Sequence, residues 1–433
     1  MKLLPTLAFI PCLPIQALSN PLIPPIPRGQ QQPLSPSPLD ANGRPHRPKP
    51  GDGVSPSFFA SLERLSRLVD IAYCVGTTGV SPPFSCASRC KDFPTLSLVR
   101  TWNTGILMSD SCGYIAVDDS MDPSQRGIVV AFRGTYSLTN TIVDLSTVPQ
   151  EYVPYPQDPE DPDNGDGGGD GKEKEKKAKI KCNNCTVHMG FMSSWRVARD
   201  VVLPALKAAK EKRPGYPVRL VGHSLGGAVA ALAALELKVG LGWQDVVVTT
   251  FGEPRVGNQG LVDYLDEAFG LKDSSETKGE ELAYRRVTHV GDPVPLLPLT
   301  EWGFRSHAGE VFISKSDLQP APEDLRICHG DNDPECMGAA EADSVSWAWL
   351  DWAVGRAKAK KDELAHVLEK EDEVRETAMV GGFPTRFKLW QLLFAHRDYF
   401  WRLGLCLPGG DPVDWGRDKY NVTRDNSDEI RDL

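Results

Sequence analysis

The sequence predicts an α/β fold with a mainly parallel central sheet, helices on both faces and two large insertions. Two observations predict it. Short apolar runs at 113–117, 128–132, 218–221, 246–251 and 284–290 read as buried strands, and helical patterns at 192–212, 225–237 and 261–269 lie between several of them. Strands that alternate with helices pair in parallel and are covered on both faces. No internal repeat at solenoid or propeller spacing competes with this reading.

At the N-terminus, Met1 and Lys2 precede an apolar stretch over 3–15 and the small-x-small sequence Ala17-Leu18-Ser19 before Asn20. A charged n-region, an apolar h-region and such a cleavage site make residues 1–19 a secretory signal peptide. The stretch is too short to cross a bilayer, and Pro5, Pro11 and Pro14 argue against a retained helix. No later run is long enough to span either, so the expected product is a soluble, secreted, extracellular protein. Residues 20–56 are rich in Pro, Gln, Ser and Gly and poor in large apolar side chains, the composition of a disordered tail or propeptide.

The folded region begins at 57. Phe58, Phe59, Leu62, Leu65, Val69 and Ala72 recur at three- and four-residue steps, an amphipathic helix ending near Cys74. The first insertion, 154–180, joins an acidic, Gly-rich block to a basic one and reads as a solvated loop. The second, 316–385, reads as one or two long charged helices from 344 onward, with Trp347, Trp349 and Trp352 explained by packing. Residues 411–433 read as a C-terminal tail. Without these segments the remainder fits one domain within 57–410, at or slightly above the usual single-domain size of roughly 200–250 residues.

Composition excludes several classes. Hydrophobic residues at 40% and charged residues at 24% exclude a wholly disordered or fibrous chain. Against 58 acidic residues stand 48 basic ones, a net charge of -10, so the general attraction to phosphate backbones is missing and nucleic acid is not an expected partner. Of the ten cysteines, Cys12 leaves with the signal peptide, and an odd number remains for an oxidising compartment. The close pairs Cys86/Cys90, Cys182/Cys185 and Cys328/Cys336 read as local disulfides; a zinc site would need two such pairs together and is the weaker reading in a secreted chain. Asn184-Cys185-Thr186 and Asn421-Val422-Thr423 are glycosylation sequons.

The chemistry centres on Gly222-His223-Ser224-Leu225-Gly226, which lies between the strand pattern 218–221 and the helix pattern that follows. A serine in Gly-x-Ser-x-Gly at such a junction sits on a sharp turn, and the helix N-terminus supplies N–H groups to a developing oxyanion. A hydroxyl is a weak nucleophile at neutral pH, so the serine needs a base and the base an orienting acid, in the chain order Ser, acid, His. Asp292 follows the strand pattern 284–290 directly, where active-site loops of open sheets gather. Chain order leaves His307, His329, His366 and His396 as bases. His366 lies in the charged helix and His329 in the small Cys328–Cys336 loop; His307 follows Asp292 closely, and spacing favours His396 without excluding His307.

Four stretches carry a resemblance: Phe132-Arg133-Gly134-Thr135; Gly222 to Gly227; Glu253-Pro254-Arg255-Val256-Gly257-Asn258; and Val287 to Pro295. Together they resemble the successive motifs of filamentous-fungal class 3 lipases, members of the α/β-hydrolase superfamily. Gly303 to Glu310 also resembles that family, in which this histidine is not the base, and Ala395-His396-Arg397-Asp398-Tyr399-Phe400 resembles the segment bearing the catalytic histidine. The resemblance therefore implies Ser224 as nucleophile, His396 as base, Asp292 as its carboxylate, and an oxyanion hole from the N–H groups of Leu225 and Thr135 with the Thr135 hydroxyl. It implies a lid over 137–144, where Thr141 stands in place of a frequent tryptophan, and disulfides Cys74–Cys406, Cys86–Cys90 and Cys182–Cys185. Cys328–Cys336 is added by proximity, which leaves Cys112 odd. Met189 stands where the family usually has an acid.

The expected activity is hydrolysis of carboxylic esters, above all triacylglycerols, by a monomer in transient contact with a lipid–water interface, with no cofactor or metal. A feruloyl-type esterase on the same scaffold is the nearest alternative, and a catalytically silent binding module a remote one.

Overall fold

The computed structural model describes residues 53–105, 110–135, 149–152, 181–271, 279–330, 333–337, 394–420 and 422. All belong to one compact unit, Pro38–Leu433. The expected signal peptide, the Pro-rich segment up to 52, the lid at 137–144, the insertion 154–180 and the helical part of 316–385 lie outside the described residues.

Eight strands form the main sheet: β1 Leu96–Asn103, β2 Cys112–Asp118, β3 Gly127–Phe132, β4 Val218–His223, β5 Val246–Phe251, β6 Tyr284–His289, β7 Glu310–Ile313 and β8 Leu325–Ile327. They stand in the sheet in chain order, with β3 to β7 parallel and the pairs β1/β2, β2/β3 and β7/β8 antiparallel. Because β3 to β7 run parallel, their C-terminal ends collect along one edge.

Period-two side-chain alternation divides the strands between two cores. Ile115, Val117, Ile128, Val130 and Phe132 face one core, with Val218, Leu220, Val246 and Val248. Tyr114, Ala116, Val129 and Ala131 face the other, with Val221, Phe251 and Val287. The first core is covered by helices α2 Met189–Lys212, α3 Leu225–Leu235 and α4 Gln259–Phe269. Every residue of α3 is buried, so its sequence Leu-Gly-Gly-Ala-Val-Ala-Ala-Leu-Ala-Ala-Leu is apolar all round.

The second core lies under α1, Pro56–Ile71, and the segment Tyr399–Leu403. Helix α1 starts where the sequence dictates: Pro56 occupies the first turn and the Ser55 side chain accepts from Phe58 N–H. Leu62 and Leu68 on its inner face are fully buried, each worth about 1.5–3 kcal/mol relative to exposure.

Three boundaries differ from the sequence reading. The ordered chain begins before 57, within the expected disordered tail 20–56: Val54 is buried with its N–H on Pro322 O, Ser55 caps α1 and Pro56 lies in its first turn. The start of the predicted helical insertion, 316–385, belongs to the main sheet: Leu325–Ile327 pairs antiparallel with β7, and the Cys328–Cys336 disulfide closes the loop that follows. The predicted tail from 411 is packed as far as 420. Asp414 is buried, accepts from Arg89 and Arg417 and from Arg402 N–H, and Tyr420 meets the Phe59 ring. The indole of Trp401 lies against the guanidiniums of Arg89 and Arg417, each 4.2 Å from its ring. Ionic pairs distant in sequence, which local composition does not reveal, hold this segment.

The same network touches Asp70, at the end of α1. Burial pushes its carboxyl up to about 6, although Arg89, the Gly404 N–H and the Ser88 hydroxyl favour the anion. A folded-state value above the unfolded one makes the native state bind the extra proton, so this group's contribution to stability falls as pH rises from about 4 to about 6. The shift corresponds to about 3 kcal/mol across that window. In chemical denaturation at pH 4 and pH 7, the Asp70→Asn variant should therefore gain stability relative to wild type at the higher pH; a difference independent of pH would contradict the assignment.

Candidate active site

Ser224 joins β4 to α3 with φ 57° and ψ -131°, a left-handed conformation that a non-glycine residue adopts at a cost of about 1–3 kcal/mol. Two glycines make the turn possible. A Cβ on Gly222 would collide with the Gly226 carbonyl, and one on Gly226 with the Phe132 carbonyl at the end of β3. The Ser224 N–H donates to Phe251 O at 3.0 Å and its carbonyl accepts from Gly227 N–H at 2.8 Å, which ties the turn to the end of β5. Leu225 opens α3, so its N–H is among the four that have no intrahelical carbonyl.

The end of β3 packs on this turn. A Cβ on Gly134 would stand 2.7 Å from His223 O and 2.8 Å from the Ser224 Cβ. Thr135, the last described residue before the expected lid, is therefore one residue from the serine's immediate neighbour. The lid residues themselves lie outside the described residues.

Past the end of β6, Asp292 is 1% exposed and its carboxylate is fully engaged. His396 Nδ1 lies 3.0 and 2.9 Å from its two oxygens, Val294 N–H donates at 2.9 Å and the Tyr399 hydroxyl donates as well. Burial alone would raise this carboxyl. The His396 imidazole, the Tyr399 hydroxyl and the Val294 N–H outweigh burial and hold it below the ordinary carboxylate range. With Nδ1–H directed at Asp292, the neutral imidazole carries its lone pair on Nε2, and that buried atom has no hydrogen-bond partner among the described residues.

The ring of His396 stacks on that of His223 at 4.7 Å between centroids, which places it beside the residue preceding Ser224. Its segment is tied down on several sides. Arg397 donates to Leu403 O and Asp411, Asp398 pairs with Arg402, Gly404 N–H donates to Asp70, and Cys406 is bonded to Cys74.

The other candidate histidine, His307, stands in a different environment. His307 Nδ1 donates to Ala308 O at 2.7 Å and its Nε2 meets Glu253 Oε1 at 3.1 Å; Glu253 also accepts from Thr250 and Tyr284. Asp292 thus has no part in the environment of His307. The remaining motif residues are braces. Arg255 reaches the carbonyls of Leu296 and Pro298, and Asn258 caps α4 while contacting Asn184 and Thr186.

The cysteine pairs Cys86–Cys90 and Cys182–Cys185 each form a disulfide, which consumes the thiolates a zinc site would need. Cys328 and Cys336, which with Asp333 make the one metal-like grouping among the described residues, are bonded as well. Cys112 is a buried free thiol.

Sequence reasoning missed Tyr399, Tyr73, His223 and Gly252. Tyr399 stands three residues after His396, and that spacing was its only signal. Gly252 has φ +59°, and a Cβ there would stand 2.8 Å from the Tyr399 hydroxyl, 2.9 Å from His396 Cε1 and 3.0 Å from Asp292 Oδ2.

A strained serine at a strand-to-helix turn, a buried carboxylate–histidine pair and a mainly parallel sheet define an α/β-hydrolase. Comparison with known proteins specifies the family. Residues 129–302 match the model of the class 3 lipases. A secreted mono- and diacylglycerol lipase of Gibberella zeae is 56% identical over 398 residues, covering 89% of this chain and 92% of that protein. Lipase A of Sodiomyces alcalophilus is 56% identical over 86% of both chains. The chain belongs to the class 3 lipase family. Among solved structures, the Lip2 lipase of Yarrowia lipolytica superposes with a TM-score of 0.59 at 26% identity, over 82% of this chain and 97% of that one.

Gly252→Ala should lower kcat by on the order of 100-fold while leaving the protein folded, because the added methyl displaces the histidine and its carboxylate together; wild-type turnover of the folded variant would contradict that packing. His307→Ala should lower stability by about 3 kcal/mol, the cost of leaving Glu253 buried without its partner, while the folded fraction keeps its turnover. Denaturant titration alongside active-site-normalised rates reads both effects.

Proposed function

We propose that the protein is a secreted lipase that hydrolyses acylglycerols through an acyl-enzyme on Ser224. The observation that carries the role assignment is the pairing of His396 Nδ1 with buried Asp292, with Nε2 unpartnered among the described residues and the ring stacked on that of His223, next to Ser224.

In this reading His396 Nε2 takes the proton from the Ser224 hydroxyl as its oxygen attacks the ester carbonyl. Asp292 holds the imidazole in the required tautomer and stabilises the imidazolium that forms. The N–H groups of Leu225 and Thr135, with the Thr135 hydroxyl, receive the negative charge that develops on the carbonyl oxygen, and the N-terminal end of α3 adds its dipole. The leaving alcohol takes the proton back from His396. A water, deprotonated by the same nitrogen, then releases the fatty acid and restores the hydroxyl.

Several findings support the substrate and the location. Both 56%-identical relatives are named as lipases, one of them for mono- and diacylglycerols and as secreted. Four disulfides among the described residues suit an oxidising compartment, as does the N-terminal sequence. No helix among the described residues is long and apolar enough to cross a membrane. The proposed nucleophile, base and carboxylate come from one chain, so the proposed chemistry needs no second copy; we propose action as a monomer in transient contact with a lipid–water interface.

The test is a substrate panel with variants. Emulsified mono-, di- and triacylglycerols should be hydrolysed faster than soluble feruloyl or other aromatic esters; the opposite ranking would favour the esterase reading. Ser224→Ala and His396→Ala should each lower kcat on the order of 10⁴-fold or more. Retention of activity in either variant would overturn the corresponding catalytic role.

A further inference from the structure

Tyr73, at the end of the first helical segment, and His223, the residue before the proposed nucleophile, are both buried. They form a continuous chain of hydrogen bonds through the site. The Tyr73 hydroxyl packs directly on the backbone of Gly134, where an added Cβ would stand 2.6 Å from it. The Tyr73 hydroxyl lies 2.6 Å from His223 Nδ1, and His223 Nε2 lies 2.8 Å from the backbone carbonyl of His396. A carbonyl only accepts, so Nε2 carries the proton; Nδ1 of the neutral ring then accepts from the Tyr73 O–H, and each bond has one consistent direction. Burial, then the adjacent His396, lowers the His223 pKa to about 3, so the ring stays neutral and the direction holds throughout the working pH range of a hydrolase.

What the chain connects is specific. Gly134 precedes Thr135, the proposed oxyanion residue. His223 precedes Ser224. His396 is the proposed base. These three parts come from β3, β4 and a segment 173 residues beyond His223, and none of the disulfides among the described residues joins two of them directly. Among the described residues the base's own ring is hydrogen-bonded at one nitrogen, by Asp292, whereas its main chain is gripped by His223 and its imidazole stacks on the His223 ring at 4.7 Å between centroids and 30° between planes.

We propose that Tyr73 and His223 are positioning residues that hold the oxyanion strand, the nucleophile and the base in register through this hydrogen-bond chain and its packing on Gly134. Neither touches the reacting atoms. The variable residue inside Gly-x-Ser-x-Gly is thus a spacer: the side chain next to the serine measures the distance to the histidine's backbone. The inference rests on the roles proposed for Ser224 and His396, and the experiment separates the two.

The measurement uses the full-length purified enzyme with a water-soluble short-chain ester, so that interfacial binding does not enter. The rate of inactivation by a fluorophosphonate and the melting temperature are followed in parallel. His223→Phe keeps a stacked ring and removes the donor; Tyr73→Phe removes one hydroxyl and leaves everything else. Both should lower kcat and the inactivation rate by about tenfold, the size of one directional hydrogen bond lost from the transition state, with KM within about twofold of wild type. His223→Gln, whose amide nitrogen can donate to the same carbonyl, should recover most of the loss.

Wild-type kcat in folded His223→Phe and Tyr73→Phe, a change confined to KM, or a glutamine variant no better than phenylalanine would overturn the proposal. If His223→Phe does not fold, Tyr73→Phe decides alone. Labelling that persists in Ser224→Ala would instead sink the nucleophile assignment, whatever the positioning variants do.

Discussion

Ser224 is held at φ 57° and ψ -131° at the end of β4, and the arrangement of the site follows from that turn. The conformation is costly by itself, so the surroundings must impose it. They do so through backbone approaches that only glycine permits: Gly222 against Gly226, Gly226 against the end of β3, Gly134 against the serine's own Cβ. The same close packing brings the chain after β3 and the first N–H groups of α3 to the serine from two sides. A sheet in strict chain order makes this possible, because the ends of β3, β4, β5 and β6 lie next to one another.

Charge is the second constraint. The site buries a carboxylate, and an isolated buried carboxylate would take up a proton. Asp292 remains below its ordinary range because an imidazole, a phenol and a backbone N–H converge on it. Those three donors also fix its orientation, and through it the His396 tautomer. Glu253 has a comparable setting with a different outcome for its histidine. It, too, is buried beside a histidine and accepts from two hydroxyls, but His307 donates its other nitrogen to a neighbouring carbonyl, so both ring nitrogens are engaged. His396 differs in that its Nε2 has no hydrogen-bond partner among the described residues.

The central strands and the serine turn were legible because their signals are local. Apolar runs of six residues, glycines two residues either side of the serine, and a carboxylate directly past a strand need no knowledge of partners. The choice between His396 and His307 was not local. Spacing left it open, and what separates them in space is which carboxylate each meets. The outer strands β1 and β8 and the neighbouring β7 escaped for another reason. Leu96–Asn103 is mostly half-buried or exposed, and the last two are only four and three residues long, so neither an apolar run nor a clear alternation marks them. Residues 411–420 read as a tail because their burial depends on Arg89 and Phe59, far away in the sequence. Tyr73 and His223 escaped for the same reason, since each matters only through the other and through the backbone of His396.

If Ser224 is the nucleophile, its oxyanion is received between the ends of β3 and α3. A structure of the enzyme inactivated by an alkylphosphonate ester reads both points at once, since the phosphorus stands for the attacked carbonyl carbon and one phosphonate oxygen for the oxyanion. The expected result is a covalent bond from Ser224 Oγ to phosphorus, with that oxygen about 3 Å from the backbone nitrogens of Leu225 and Thr135. Phosphorus bonded to any other residue, or that oxygen facing away from both nitrogens, would contradict it.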